Sequence, residues 1–134
     1  MSVKGVIAGI WAGRGPRRAF EAAVRDLAAM PLKDAVAKRT RVPRAGAVAG
    51  LGLRVFHRAL VGVADAAEPG HACLPRSLAL YGEARRRGLA VKLVVGVRID
   101  GGDVASHAWV TLDGAPFLEA PESPARFRTI AELP

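Results

Sequence analysis

The spacing of apolar and polar positions predicts helices in the first half of the chain. Pro16 suits the first turn of a helix, and residues 17–29 carry apolar side chains at helical spacing up to Pro31. A short helix is predicted over residues 32–39, and a break follows at Val42-Pro43. A longer helix is predicted over residues 48–65. This half therefore consists of helices separated by prolines.

The second half begins with another helix and continues as strands. From Cys73, apolar residues recur every three to four positions until Gly88 ends the helix. Residues 89–99 form a β-branched, nearly continuous apolar run that is typical of a buried strand. Residues 104–112 alternate as a second strand, and Asp113-Gly114 is a strong hairpin turn. Residues 115–120 are predicted to return as a third strand.

These elements predict an α+β fold, with the N-terminal helices packed on a small antiparallel sheet. The length of 134 residues fits a single domain, residues 1–134, in which 1–66 are helical and 67–134 carry the candidate chemistry. Charged side chains interrupt every apolar stretch before it reaches about 18 residues, so no membrane span is expected. The N-terminus resembles a signal peptide only weakly, and a lone cysteine favours a cytoplasmic protein.

Positive charge is concentrated in the helical half. Residues 1–64 hold 12 Lys/Arg against 3 Asp/Glu, a net charge of +9, whereas residues 65–134 have a net charge of −1. Such a half can contact nucleic acid, a membrane surface or an acidic peptide or protein. However, its basic residues lie singly or in pairs among apolar ones, as on the solvated face of amphipathic helices. It also has few aromatic residues, so nucleic acid is not expected as a partner.

Cys73 and His107 are the first candidates for chemistry. At the start of a helix, free N–H groups and the helix dipole favour a thiolate and can hold an oxyanion. His107 lies in the middle of a predicted strand, on its less apolar face. A cysteine hydrolase needs this arrangement of nucleophile and base. The competing interpretation is a buried structural thiol and a histidine hydrogen-bonded to the backbone.

Two carboxylates compete as the third member of such a site. Asp113 lies six residues after His107 at the hairpin tip, and six extended residues span about 20 Å. Glu119 lies on the returning strand, which brings it back beside His107. A loop with an odd number of residues places Glu119 and His107 on the same face, whereas a two-residue loop does not. Glu119 is the first choice and Asp113 the second.

The remaining candidates have weaker roles. Two residues are predicted to contact the substrate: Arg76, one turn after Cys73, and Trp109, on the same strand face as His107. For Arg76, an anchor for the helix or a place on its solvated face is the alternative. His71 is expected in the entry loop of the cleft, and His57 at the surface or an interface. Three histidines and one cysteine without close spacing predict no metal site, and no cofactor is expected.

The chain resembles the lasso peptide leader peptidases, the stand-alone transglutaminase-like cysteine proteases of split biosynthesis systems. The resemblance covers about residues 70–130 closely. It rests on the runs CLPRSLAL from Cys73, RRRG from Arg85, LVVGVR from Leu93, HAWV from His107 and the pair Asp113-Gly114. It implies a transglutaminase-like or papain-like core.

The same resemblance implies a Cys–His–Asp protease that removes the leader from a ribosomally made precursor peptide. A separate leader-recognition protein and an ATP-dependent, macrolactam-forming cyclase are the implied partners. Cys73 matches the nucleophile and His107 the base. The acidic member lies in a stretch such as Asn-Asp-Ser-Pro, which corresponds to residues 118–121, so that Glu119 stands where the pattern has Asp.

Two other functions remain open from the sequence. A transglutaminase-like acyl transferase uses the same residues and differs only in whether an amine or water attacks the thioester. A non-catalytic basic scaffold or binding module has an inert Cys73 and binds polyanions with a steep salt dependence. The reaction products distinguish these functions.

Overall fold

The computed structural model describes residues 15–40 and 51–134, and the helices predicted from the sequence are present there. We label them in chain order: α1 Pro16–Ala29, α2 Leu32–Thr40, α3 Leu51–Ala67 and α4 Cys73–Arg86. Pro16 starts α1 as expected, and Pro75 is accommodated in the first turn of α4. The expectations for the N-terminal segment, for Val42-Pro43 and for residues 48–50 lie outside the described residues.

The strands form one antiparallel sheet. They are β1 Val91–Asp100, β2 Asp103–Leu112, β3 Ala115–Pro116 and β4 Arg128–Leu133, with a 3₁₀ turn Pro124–Arg126 before β4. The order across the sheet is β3-β2-β1-β4. Hairpins with two-residue turns join β1 to β2 and β2 to β3. The predicted α+β fold is confirmed.

Two details of the sheet correct the expectations. The third strand was expected to reach Ala120, but β3 ends at Pro116, and the Phe117 N–H adds only one further bond to the Val110 carbonyl, at 2.8 Å. Leu118 then adopts a left-handed conformation with φ 57°, which an extended strand cannot contain. The strand β4 was not expected; it crosses to the free edge of β1 and pairs there with a register shift between Val95 and Gly96.

The helix α4 lies at the centre of the packing. Its Leu78 and Tyr81 are fully buried. They belong to the same hydrophobic core as Phe56 and Leu60 of α3 and the inner face of the sheet. That sheet face contributes residues such as Leu93. Burying one such side chain contributes about 1.5–3 kcal/mol, so this core holds the N-terminus of α4 in place against the sheet.

An ion pair joins the first two helices. Asp26 of α1 is nearly buried and accepts hydrogen bonds from Lys38 Nζ at 3.0 Å, while Arg39 Nη1 lies 2.9 Å from its other oxygen. The hydroxyl of Tyr81 donates to the carbonyl of Pro134, which ties the last residue to α4. Over the two stretches that the structure describes, no helix has the length and apolar character needed to cross a membrane.

Candidate active site

Cys73 lies at the first position of α4, where the backbone is prepared for an anion. The residue before it, Ala72, is the N-cap and makes no side-chain hydrogen bond to the helix. Pro75 has no N–H, and that of Arg76 donates to the carbonyl of Ala72, so the first turn offers the N–H groups of Cys73 and Leu74. One turn later, the hydroxyl of Ser77 donates to the carbonyl of Ala108 at 2.8 Å. This buried bond holds the start of α4 against β2, next to His107.

The thiol of Cys73 contacts the imidazole of His107, and each group changes the pKa of the other. The hydrogen bond from His107 lowers the pKa of Cys73, and the Ala108 N–H and the charge of Arg76 act in the same direction, against the effect of burial. The hydrogen bonds to Cys73 and Glu119 raise the pKa of His107 to about 9, although burial opposes this. The pair therefore favours a thiolate beside an imidazolium.

Glu119 also contacts the imidazole of His107. The imidazole Nε2 lies 2.5 Å from Oε2 of Glu119, and both side chains are mostly buried. The two-residue turn alone would continue the register so that Glu119 lies opposite Ala108, on the face away from His107. The early end of the strand and the left-handed Leu118 change this alternation. The expected pair is thus brought together through an irregular backbone.

Asp113, the second choice, lies elsewhere. It is exposed in the turn between β2 and β3 and has a left-handed φ of 53°. Asp is one of the residues that adopt this conformation at moderate cost, as a two-residue hairpin turn requires. The carboxylate that the structure places against His107 is Glu119, and Asp113 has a role in the turn.

Aromatic side chains surround the imidazole. The ring of Trp109 stacks on His107 with centroids 5.7 Å apart, and the ring of Phe127 lies at 5.3 Å. Gly96 pairs with His107 across the β1–β2 ladder, and a Cβ there would lie 2.9 Å from both Trp109 and Phe127. Glycine at this position allows the two rings to close on His107. Phe127 lies between the 3₁₀ turn and β4, and no local pattern in the sequence predicted its approach to His107.

Trp109 and Arg76 were expected to contact the substrate, and both lie next to the candidate triad. Trp109 is only 6 % exposed, so most of its ring packs inside the protein. The guanidinium of Arg76 lies 4.0 Å from Oε1 of Glu119, the carboxylate oxygen that does not contact His107. Both residues are therefore placed to hold His107 and Glu119 in position.

His57 is closer to the site than its sequence context suggested. It is half-buried on α3; burial and the charge of Arg76 lower its pKa, and the charge of Glu119 opposes them. The available signal was its spacing, since His57 lies four residues after Leu53 and three before Leu60, both fully buried. His71 is exposed.

The arrangement contains the groups needed for acyl transfer: a nucleophilic thiol, a base in contact with it and a carboxylate that orients the base. Metal binding finds no support in residues 15–40 and 51–134, where no three His, Cys, Asp or Glu side chains cluster at ligating distance.

Comparison with known proteins agrees with this chemistry. The model of the transglutaminase-like superfamily matches residues 15–132. Comparison with curated proteins and with solved structures gives no significant match. Members of this superfamily typically use a cysteine in catalysis, and such a domain is compatible with cysteine protease or acyl transferase activity. Because the match covers most of the chain, the protein belongs to the transglutaminase-like superfamily.

Proposed function

We propose that the protein is a cysteine protease that removes the leader from a ribosomally synthesised lasso peptide precursor. The observation that carries the proposal is the contact of Cys73 with His107 and of His107 with Glu119. Membership of a superfamily with cysteine-based catalysis supports the nucleophile. The resemblance of the runs CLPRSLAL and HAWV to leader peptidases supports the substrate class.

In the proposed reaction, His107 takes the proton of the Cys73 thiol, and the thiolate attacks the carbonyl carbon at the end of the leader. The backbone N–H of Cys73 donates to the oxyanion that forms. The imidazolium of His107 then protonates the amine of the core peptide, the C–N bond breaks and a thioester remains. Water, losing a proton to His107, attacks this thioester, which releases the leader acid and restores the thiol.

We also propose that the protein acts with a separate leader-recognition protein, before an ATP-dependent cyclase closes the macrolactam. Arg17, Arg18 and Arg25 lie exposed on α1 and offer positive charge for an acidic surface of that protein or of the leader. Reversing all three to Glu should slow cleavage of the leader-bound complex, more at low than at high salt. Cleavage by the triple variant at the wild-type rate, at both low and high salt, would contradict this docking surface. Lys33→Glu on α2 is the control.

The test of the proposed function is product analysis. The purified chain, its leader-recognition partner and candidate precursor peptides are incubated and read by mass spectrometry, with Cys73→Ala in parallel. A single cut between leader and core that is absent in Cys73→Ala supports the protease. A new amide in place of a free acid identifies acyl transfer to an amine instead. No product from a folded chain favours a non-catalytic scaffold, and a cut that survives Cys73→Ala refutes the nucleophile.

A cytoplasmic location is part of the same proposal. A catalytic thiol must remain reduced, and the cytoplasm maintains reduced thiols. The lone cysteine of the chain has no disulfide partner within it, which suits that compartment.

A further inference from the structure

A shallow depression of about 370 Å³ lies on α3 beside the candidate active site. Its lining consists of three basic side chains and two apolar ones: Arg54, His57, Arg58, Val61 and Leu118. Arg54 and Arg58 are exposed, one turn apart on the helix, with His57 between them. The described lining contains no acidic residue, so the guanidinium groups of Arg54 and Arg58 give the depression a positive charge beside two apolar side chains.

The depression is close to the triad. Leu118, in its lining, immediately precedes Glu119 in the chain. Glu119 and Arg76 lie near enough to His57 for their charges to act on its imidazole. Glu119 in turn contacts His107, which contacts Cys73. A peptide lying across Cys73 can therefore reach the depression near the bond that is cut.

Its positive charge is not neutralised within the part of the chain that the structure describes. Neither Arg54 nor Arg58 forms an ion pair with a carboxylate of residues 15–40 or 51–134. The carboxylate next to the depression, Glu119, already contacts His107 and Arg76. The depression thus complements a carboxylate supplied from outside, while Val61 and Leu118 suit the methylene groups of an acidic side chain.

We propose that Arg54, His57 and Arg58 form a subsite that binds an acidic side chain of the peptide substrate near the scissile bond. This inference rests on the proposed peptidase function and names one determinant of its specificity. It differs from the exposed arginines of α1, because the subsite acts on the residues that flank the cut.

Cleavage of a peptide library tests the subsite. The full chain is incubated with an equimolar library of tetradecapeptides with amidated C-termini, and the cut sites are read by mass spectrometry. We expect Asp or Glu to be enriched at one position near the cut. Because the C-termini are amidated, only side chains supply carboxylates that the subsite can bind. A library cut without acidic enrichment overturns the proposal.

Charge variants make the test specific. In Arg54→Gln/Arg58→Gln, the preference for the acidic peptide over its Gln or Asn counterpart should fall about tenfold. The matched control Lys33→Gln/Lys92→Gln also removes two positive charges, but from α2 and the sheet. Among the described residues, Lys92 pairs only with the exposed Glu132, at 3.1 Å, so its loss has little effect on the fold. A preference that survives the loss of both arginines refutes the subsite.

Binding is measured separately from cleavage, so that failure of the protease proposal does not hide the answer. In the Cys73→Ala chain, the ring protons of His57 are titrated by NMR with acetyl-glutamate methylamide or acetyl-glutamine methylamide. A bound carboxylate stabilises the imidazolium, so the glutamate compound should raise the pKa of His57 and the glutamine compound should not. No difference between the two compounds overturns the subsite even if the peptidase is active.

Discussion

Asp26 and Glu119 are two carboxylates that each contact two basic side chains, and they differ in what those partners can do. Asp26 is bound by Lys38 and Arg39, within 3.0 Å, where α1 meets α2. Glu119 is bound by His107 at 2.5 Å, and Arg76 lies farther away at 4.0 Å. Both carboxylates are mostly buried: their side chains are 11 % and 18 % exposed.

The two carboxylates differ in whether their basic partner can gain or lose a proton. Burial alone raises the pKa of Asp26, but hydrogen bonds from Lys38 and Arg39 bring it below its usual value, so the group stays ionised beside permanent cations. Glu119 instead contacts an imidazole that also contacts a thiol, and that imidazole can gain or lose a proton. A buried ion pair becomes a candidate catalytic site when one partner titrates and touches a nucleophile.

The largest predicted effect separates the two clusters by activity. His107→Ala removes the base and should lower kcat/KM for peptide cleavage by about 10³-fold, within the range found for general acid–base groups. The melting temperature should fall moderately, because among the described residues Glu119 keeps only Arg76, at 4.0 Å, as a basic partner and the rings of Trp109 and Phe127 lose their contact with the imidazole. Steady-state kinetics and thermal unfolding of the same preparation check both. A variant with more than a tenth of the wild-type activity would contradict the assigned base.

Replacing Glu119 should have a smaller effect. Glu119→Gln keeps an acceptor for His107 but removes the charge, so kcat/KM should fall about 100-fold. The alkaline limb of the rate profile should move below pH 9, because the carboxylate helps to raise the pKa of His107 to about 9. Glu119→Asp, which keeps the charge with one methylene fewer, should recover part of the activity. A profile unchanged in Glu119→Gln would show that the carboxylate does not act on His107.

The reverse test is Asp26→Asn, for which the expected effect is on stability. It leaves the mostly buried Arg39 without its carboxylate and should lower the free energy of unfolding by about 2 kcal/mol. Cleavage by the folded protein should stay within about twofold of the wild type, because Asp26 lies outside the site. Urea unfolding and kinetics well below the midpoint measure both quantities. A large loss of kcat with unchanged stability would remove the distinction between the clusters.

The helices and the two long strands were predictable because their signals are local. Pro16, the glycine after α4 and the hairpin at Asp113 mark ends that the structure shares. The strand β4 was not predictable in this way, because most of its residues are exposed and its pairing with β1 includes a register shift. β4 forms by pairing with the edge of β1 that β2 leaves unpaired, and the local sequence around residues 128–133 carries no signal of that edge.

The site was predictable in its residues more than in its geometry. A helix start at Cys73 and a strand through His107 suggested the pair, and the returning chain suggested Glu119. The alternation of side chains along a strand, however, made the orientation of Glu119 depend on the loop length. A two-residue turn places Glu119 on the face away from His107. The left-handed backbone at Leu118 changes the alternation so that Glu119 reaches His107, and no local sequence pattern predicts a leucine in that conformation. His57 and Phe127 belong to other elements and reach the site only through packing.

The central claim is that His107 activates Cys73, and the pH dependence of alkylation by iodoacetamide tests it most directly. Cys73 is the only cysteine in the chain, so incorporated label reports this residue alone. We predict a midpoint below the ordinary thiol value of 9.0 in the wild type, because contact with His107 lowers the pKa of Cys73. In His107→Ala the midpoint should rise toward or above that value. A wild-type midpoint at or above 9.0 that His107→Ala leaves unchanged would contradict the account.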